Sequence, residues 1–168
     1  MSGCRVRRLL TGLVVALLAG CGGGGSYNLD DGVTVDEYGR KVIRRSLENR
    51  SDRQLWVDLW VNGSVFLDTV ELRPHSTVLV TIEDLRLRDA VRYRGEFEGG
   101  GTVSGSFSED GRTVFTYTVR SEGTAPTALD VDGEPSTGAG VVPVRLRASQ
   151  PASSPPRLAP GKWERTNP

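Results

Sequence analysis

Apolar and polar residues alternate along most of the middle of the chain. Leu55, Val57, Leu59 and Val61 occupy every second position, Asn62-Gly63 interrupts them, and Val65 to Val70 resumes the apolar pattern. A period of two puts such a set on one face of an extended strand. Asn-Gly between two such runs predicts a hairpin, because a type I′ turn needs positive φ at both central residues. A two-residue turn sets Leu59 opposite Phe66 and Leu55 opposite Val70, so Leu55, Val57, Leu59, Phe66 and Val70 form the core side. Thr77–Ile82 is short and β-branched, and Val91, Tyr93 and Phe97 alternate with Arg92, Arg94, Glu96 and Glu98. Val103 and Phe107 lead through Ser108-Glu109-Asp110-Gly111-Arg112 into Thr113, Phe115, Tyr117 and Val119. A three-residue loop with Gly111 in the left-handed region would pair Phe107 with Thr113 and gather these side chains on one face.

Val42-Ile43 opens a first strand that the Asn49-Arg50-Ser51-Asp52 turn ends, and no window supports a helix. Roughly seven short strands between residues 42 and 120 predict an all-β fold: a small β-sandwich, immunoglobulin-like or a similar strand meander. The folded body is expected over 41–121, about 80 residues, which is small but adequate for its own core. Residues 21–40 read as a flexible Gly-rich tether reaching about 25 Å. Beyond Ser121 the composition changes, and all prolines but Pro74 lie at or after Pro126. Val142, Val144 and Leu146 alternate and predict an edge strand at 141–147, where Pro143 is tolerable. Residues 148–168 read as a Pro/Ser-rich disordered tail.

The N-terminus carries an address. Arg5, Arg7 and Arg8 precede an uncharged run from Leu9 to Gly20, the pattern of a secretory signal peptide over 1–20. That run extends about 18 Å as a helix, too short for the ~30 Å hydrocarbon layer. Leu18-Ala19-Gly20-Cys21 resembles the lipobox of bacterial lipoproteins. The resemblance implies a diacylglyceryl group on the Cys21 thiol, cleavage before Cys21 and further acylation, by palmitate for instance. Two or three chains make such an anchor stable where one does not. Gly22 after Cys21 resembles lipoproteins sent to the outer membrane, where the host has one. The strand–turn–strand phrasing from Asn49 to Ile82 is similar to that of many small bacterial lipoprotein β-sandwiches, a likeness that bears on fold alone.

Charge and cysteine usage agree with export. The 168 residues carry 21 basic and 21 acidic groups, and losing Arg5, Arg7 and Arg8 with the signal peptide leaves the mature chain at −3. A nucleic-acid partner is therefore not expected. Cys4 leaves with the signal peptide and lipid consumes Cys21, so no disulfide or thiolate metal site is expected.

Candidate chemistry is sparse. His75, the only histidine, sits in a turn without a Gly-x-Ser-x-Gly elbow. Asp130-Val131-Asp132-Gly133-Glu134 lacks the spacing of an EF-hand loop. Gly99-Gly100-Gly101 reads as a hairpin loop, since no phosphate-binding helix follows. Arg86, Arg88, Arg92 and Arg94 share one parity and read as a charge-compensated face with Glu96 and Glu98. No catalytic residue, metal ligand or cofactor is expected beyond the lipid on Cys21.

The residues that say most are Trp56 and Trp60. They lie on the hairpin face opposite Leu55, Val57 and Leu59, where the two-residue turn adds Val65 and Leu67, with Asp58 and Thr69 among them. Either the hairpin is central and this face is covered, for instance by the tail, or Trp56, Trp60, Val65 and Leu67 form an interaction surface. The expectation is a non-enzymatic, lipid-anchored envelope module that contacts a protein or glycan. The alternative is a carrier enclosing a small apolar ligand in an interior cavity.

Overall fold

A computed structural model describes residues 27–28, 33–120, 123–150, 152 and 155–157. The signal segment, the lipobox with Cys21, the linker to Ser26 and Trp163 lie outside the described residues. The strands are β1 (Tyr27–Asn28), β2 (Thr34–Val35), β3 (Lys41–Asn49), β4 (Leu55–Val61), β5 (Val65–Leu72), β6 (Thr77–Leu85), β7 (Val91–Phe97), β8 (Thr102–Phe107), β9 (Gly111–Arg120), β10 (Gly123–Asp132) and β11 (Val141–Arg147). The fold is all-β, a sandwich of two sheets, and no helix occurs among the described residues.

In the first sheet β3 is central. It pairs antiparallel with β6, which pairs parallel with β11, and on its other edge it pairs parallel with β9, which carries β10. The second sheet has the order β5-β4-β7-β8, all antiparallel. Alternation decides what each strand buries. Val91, Tyr93, Gly95 and Phe97 of β7 are buried and the residues between them are partly exposed. The core between the sheets is filled by side chains such as Ile43, Leu47, Leu59, Ile82, Phe97 and Phe115, each at most 1% exposed. Edge-to-face contacts tie the sheets: Tyr93 to Phe115 at 5.7 Å and Phe97 to Tyr117 at 5.1 Å between ring centroids.

Three boundaries differ from the sequence reading. Residues 33–40 belong to the body rather than to a tether. Val35 is 6% exposed and pairs with Lys41, while the Asp36 carboxylate accepts the N–H groups of Tyr38 and Arg40, both at 2.9 Å, and closes the turn. The sheet also continues past 121 through β10, whose small and proline residues hid it from the alternation test. At the other end, Ala148 N–H still bonds Glu83 O, and Arg157 reaches the second sheet.

The expected Phe107–Thr113 hairpin does not form, because β8 and β9 belong to different sheets. Arg44 on β3 donates its N–H to the Asp110 carboxylate at 2.7 Å, which draws the 108–110 segment across to the first sheet. That carboxylate satisfies the backbone donor left between the short β2 pairing and the start of β9. Gly111 then has φ +154°, and a Cβ there would lie 2.4 Å from Val131 O and 2.6 Å from Arg45 Nη1. Only glycine fits.

The link from β10 to β11 crosses the outer face of the first sheet, which explains why β3 is buried on both faces. Ser136 pins it, donating its N–H to Ser46 Oγ at 3.0 Å and its hydroxyl to Glu48 at 2.6 Å. Burial alone would raise the Glu48 pKa, yet the Ser136 hydroxyl and the Arg50 and Arg112 charges outweigh it and hold the carboxyl below its usual value.

Candidate functional site

The outer face of the second sheet is built on β4, which lies between β5 and β7. Trp56, Asp58 and Trp60 project from it at a period of two, and β7 sets Glu96, Arg94 and Arg92 directly opposite them. From β5, Glu71 faces Trp56, Thr69 faces Asp58 and Phe66 faces Trp60. Trp60 and Phe66 are in ring contact at 5.7 Å between centroids. Asp58 is wholly buried and Trp60 is 3% exposed, whereas Trp56 is only partly covered. The Thr69 hydroxyl donates to the Asp58 carboxylate, so the buried charge carries a hydrogen bond within the sheet.

Part of the cover is the chain's own C-terminal segment. The Arg157 guanidinium lies 3.7 Å from the Trp56 ring centroid, and its backbone N–H donates to Asp58 Oδ1 at 3.3 Å. A cation over an indole face contributes about 0.5–2 kcal/mol, more as water is excluded. The aromatic strip thus carries a cation and a backbone donor on one tryptophan and one buried carboxylate.

Two residues expected on this face lie elsewhere. Leu67 is in the core at 5% exposure, and Val65 is 46% exposed beside the turn. Asn62 and Gly63 do take positive φ, 51° and 71°, but Val61 pairs with Val65 rather than with Ser64. Asn62 is held by the loop before β7, donating its N–H to Ala90 O at 2.8 Å and its amide to Asp89 at 2.8 Å. A register shift between Leu59 and Trp60 then turns Leu67 inward and gives Phe66 to the tryptophan face. Arg157 was not visible as a partner of Trp56, since nothing local connects residues so far apart in sequence.

Other charged groups serve the fold. Arg45 has no exposed side-chain surface and lies between the sheets. It donates to Asp130 Oδ1 at 3.2 Å, to Asp132 Oδ1 at 3.3 Å and to Thr113 Oγ1 at 3.1 Å. Asp130 also accepts the hydroxyls of Tyr93 at 2.8 Å and Thr113 at 2.6 Å. Burial first, and then the Asp130 carboxylate, push the Tyr93 phenol well above its ordinary pKa. Asp130 and Asp132 of the 130–134 run thus pair with a guanidinium, and no metal-binding trio of His, Cys, Asp or Glu occurs among the described residues.

Tyr93 reaches Asp130 only because Gly105 faces it. A Cβ at Gly105 would lie 2.3 Å from Tyr93 Oη. Gly105→Ala is therefore expected to destabilise the fold by about 1–3 kcal/mol through overpacking. A shift of the urea midpoint at unchanged slope measures this, and an unchanged midpoint would show that the ring has room to move.

The remaining candidates are superficial. His75, at φ +53°, pairs through Nε2 with Asp52 at 2.7 Å on open surface. The arginine row divides: Arg92 and Arg94 lie on β7, while Arg86 and Arg88 fall in the loop before it. Gly99, Gly100 and Gly101 all have positive φ in the β7–β8 turn. A cleft of about 700 Å³ on the outer face of the first sheet is lined by basic and acidic residues together. Arg40–Asp84 at 3.0 Å and Arg147–Glu83 at 3.3 Å neutralise much of it. Buried Lys41 donates to Asp89 O at 3.0 Å, and desolvation lowers its pKa.

Comparison of the chain with protein families, with curated proteins and with solved structures found no match.

Proposed function

We propose that this chain is an exported envelope lipoprotein, held to a membrane by lipid on Cys21, whose β-sandwich acts without catalysis by contacting a protein or glycan. The observation that carries the address is Leu18-Ala19-Gly20-Cys21, placed after a positively charged start and a short apolar run. Support for contact as the activity comes from Trp56, Trp60 and Phe66, gathered with a buried carboxylate on one sheet face. Where the host has two membranes, Gly22 favours the outer one.

Growth with radiolabelled palmitate tests the anchor. Label is expected in the wild-type protein and absent from Cys21→Ser, which should run as an uncleaved precursor. Equal labelling of both, or a wild-type protein that washes free of the envelope at full length, would overturn the reading.

A further inference from the structure

We infer that the outer face of the second sheet is a docking surface for an extended segment of another protein in which arginine follows prolines, and that Pro155-Pro156-Arg157 of this chain occupies it in cis. The inference deepens the contact reading above and rests on that surface, but not on the lipid anchor.

The seated segment defines the chemistry of the ligand. Arg157 stacks on Trp56 at 3.7 Å and its own N–H reaches Asp58 Oδ1 at 3.3 Å, so one residue is read through side chain and backbone together. Asp58 is fully buried at the centre of the strip, so an arriving backbone N–H meets a carboxylate held in place by the sheet. Pro155 and Pro156 restrict φ near −65°, which holds the approach to Arg157 extended before it docks. Proline-rich segments bind aromatic-lined grooves at low entropic cost for this reason.

The connection also suits a displaceable strap. β11 ends at Arg147 on the sandwich side that β5 closes, and Ser149 Oγ donates to Asp84 at 2.5 Å as the chain leaves the sheet. Arg147 and Arg157 are only ten positions apart in sequence, so the cis segment stays at a high effective concentration. A competing segment binds only the open fraction, and its affinity falls by that fraction.

Fluorescence anisotropy with a labelled peptide of residues 152–160 tests this on the full chain purified in mild detergent. The Arg157→Ala chain, whose face is opened, is expected to bind the peptide. The wild-type chain should bind it about tenfold more weakly, because its own segment competes. A peptide with Arg157→Ala, which needs no change in the protein, should bind the opened chain at least about tenfold more weakly. Trp56→Phe, which keeps an aromatic ring, should retain part of the affinity that Trp56→Ala loses.

No peptide binding by a natively folded Arg157→Ala chain overturns the inference, as does equal binding of the two peptides. A wild-type dimer that dissolves in Arg157→Ala would also overturn it, by assigning the face to a second copy's tail. Failure of the peptide arms with palmitate labelling intact removes this inference alone. Loss of labelling with peptide binding intact removes the anchor alone.

Discussion

Asp130→Ala is expected to lower the free energy of unfolding by about 3–5 kcal/mol, more than any surface substitution in the protein. Arg45 has no exposed side-chain surface, while the Asp130 side chain retains 32%. Removing the carboxylate strands a buried cation beside Asp132, which is 78% exposed, and leaves the Tyr93 and Thr113 hydroxyls without their acceptor. Removing the cation is milder. In Arg45→Met the carboxylate keeps two hydroxyl donors and some contact with water, and methionine fills much of the vacated space. The order of cost is therefore Asp130→Ala above Arg45→Met, with the double variant falling well short of the sum. Urea midpoints at constant slope measure each variant. A larger loss in Arg45→Met would mean that packing of the guanidinium against the Phe107 ring, 5.0 Å away, outweighs its charge pairing.

Phe115→Ala is expected to cost about 3–5 kcal/mol by leaving a cavity at the junction of the sheets. Phe115 has no exposed surface and meets Tyr93 of the opposite sheet edge-on, with ring planes at 88°. Its loss opens space on one side of a strand that β3 and β10 hold in place, so the site cannot collapse. Val65→Ala is the matched control: Val65 is 46% exposed, and the change should stay within about 0.5 kcal/mol. Thermal and urea unfolding of both variants check the contrast. Comparable losses would mean that the hairpin tip, and not the sheet junction, limits stability.

Much of this architecture was legible in short-range alternation. Leu55, Val57 and Leu59 point inward, as do Val91, Tyr93 and Phe97, because a strand buried on one face carries its burial in its own spacing. The 141–147 alternation likewise corresponds to β11, at an edge where Pro143 costs no ladder bond to a second neighbour. Parity misled where the partner was not local. Val103, Phe107 and Phe115 do face one core, yet two of them reach it from the second sheet and one from the first. Facing sheets bury the same parity that a hairpin would, so alternation alone does not tell them apart. β10 was hidden for a different reason: at an edge its side chains bury little, and Thr124, Ala125, Pro126 and Thr127 carry no apolar period.

The candidate face was legible only in its first half. Trp56 and Trp60 announced a strand apolar on both sides. Phe66 and Arg157 came to them through a register shift and a segment about a hundred residues away, contacts that depend on where the whole sandwich places its edges.

The linear order of residues by itself determined the class of fold and most of the inward-facing positions, since both are written in local periodicity. The tertiary structure alone decided that Asp110 carries the chain between sheets, that Asp130 and Asp132 neutralise Arg45, and that Arg157 lies over Trp56. Those are pairings between distant residues, selected when backbone donors and buried charges must all find partners within a single packed volume.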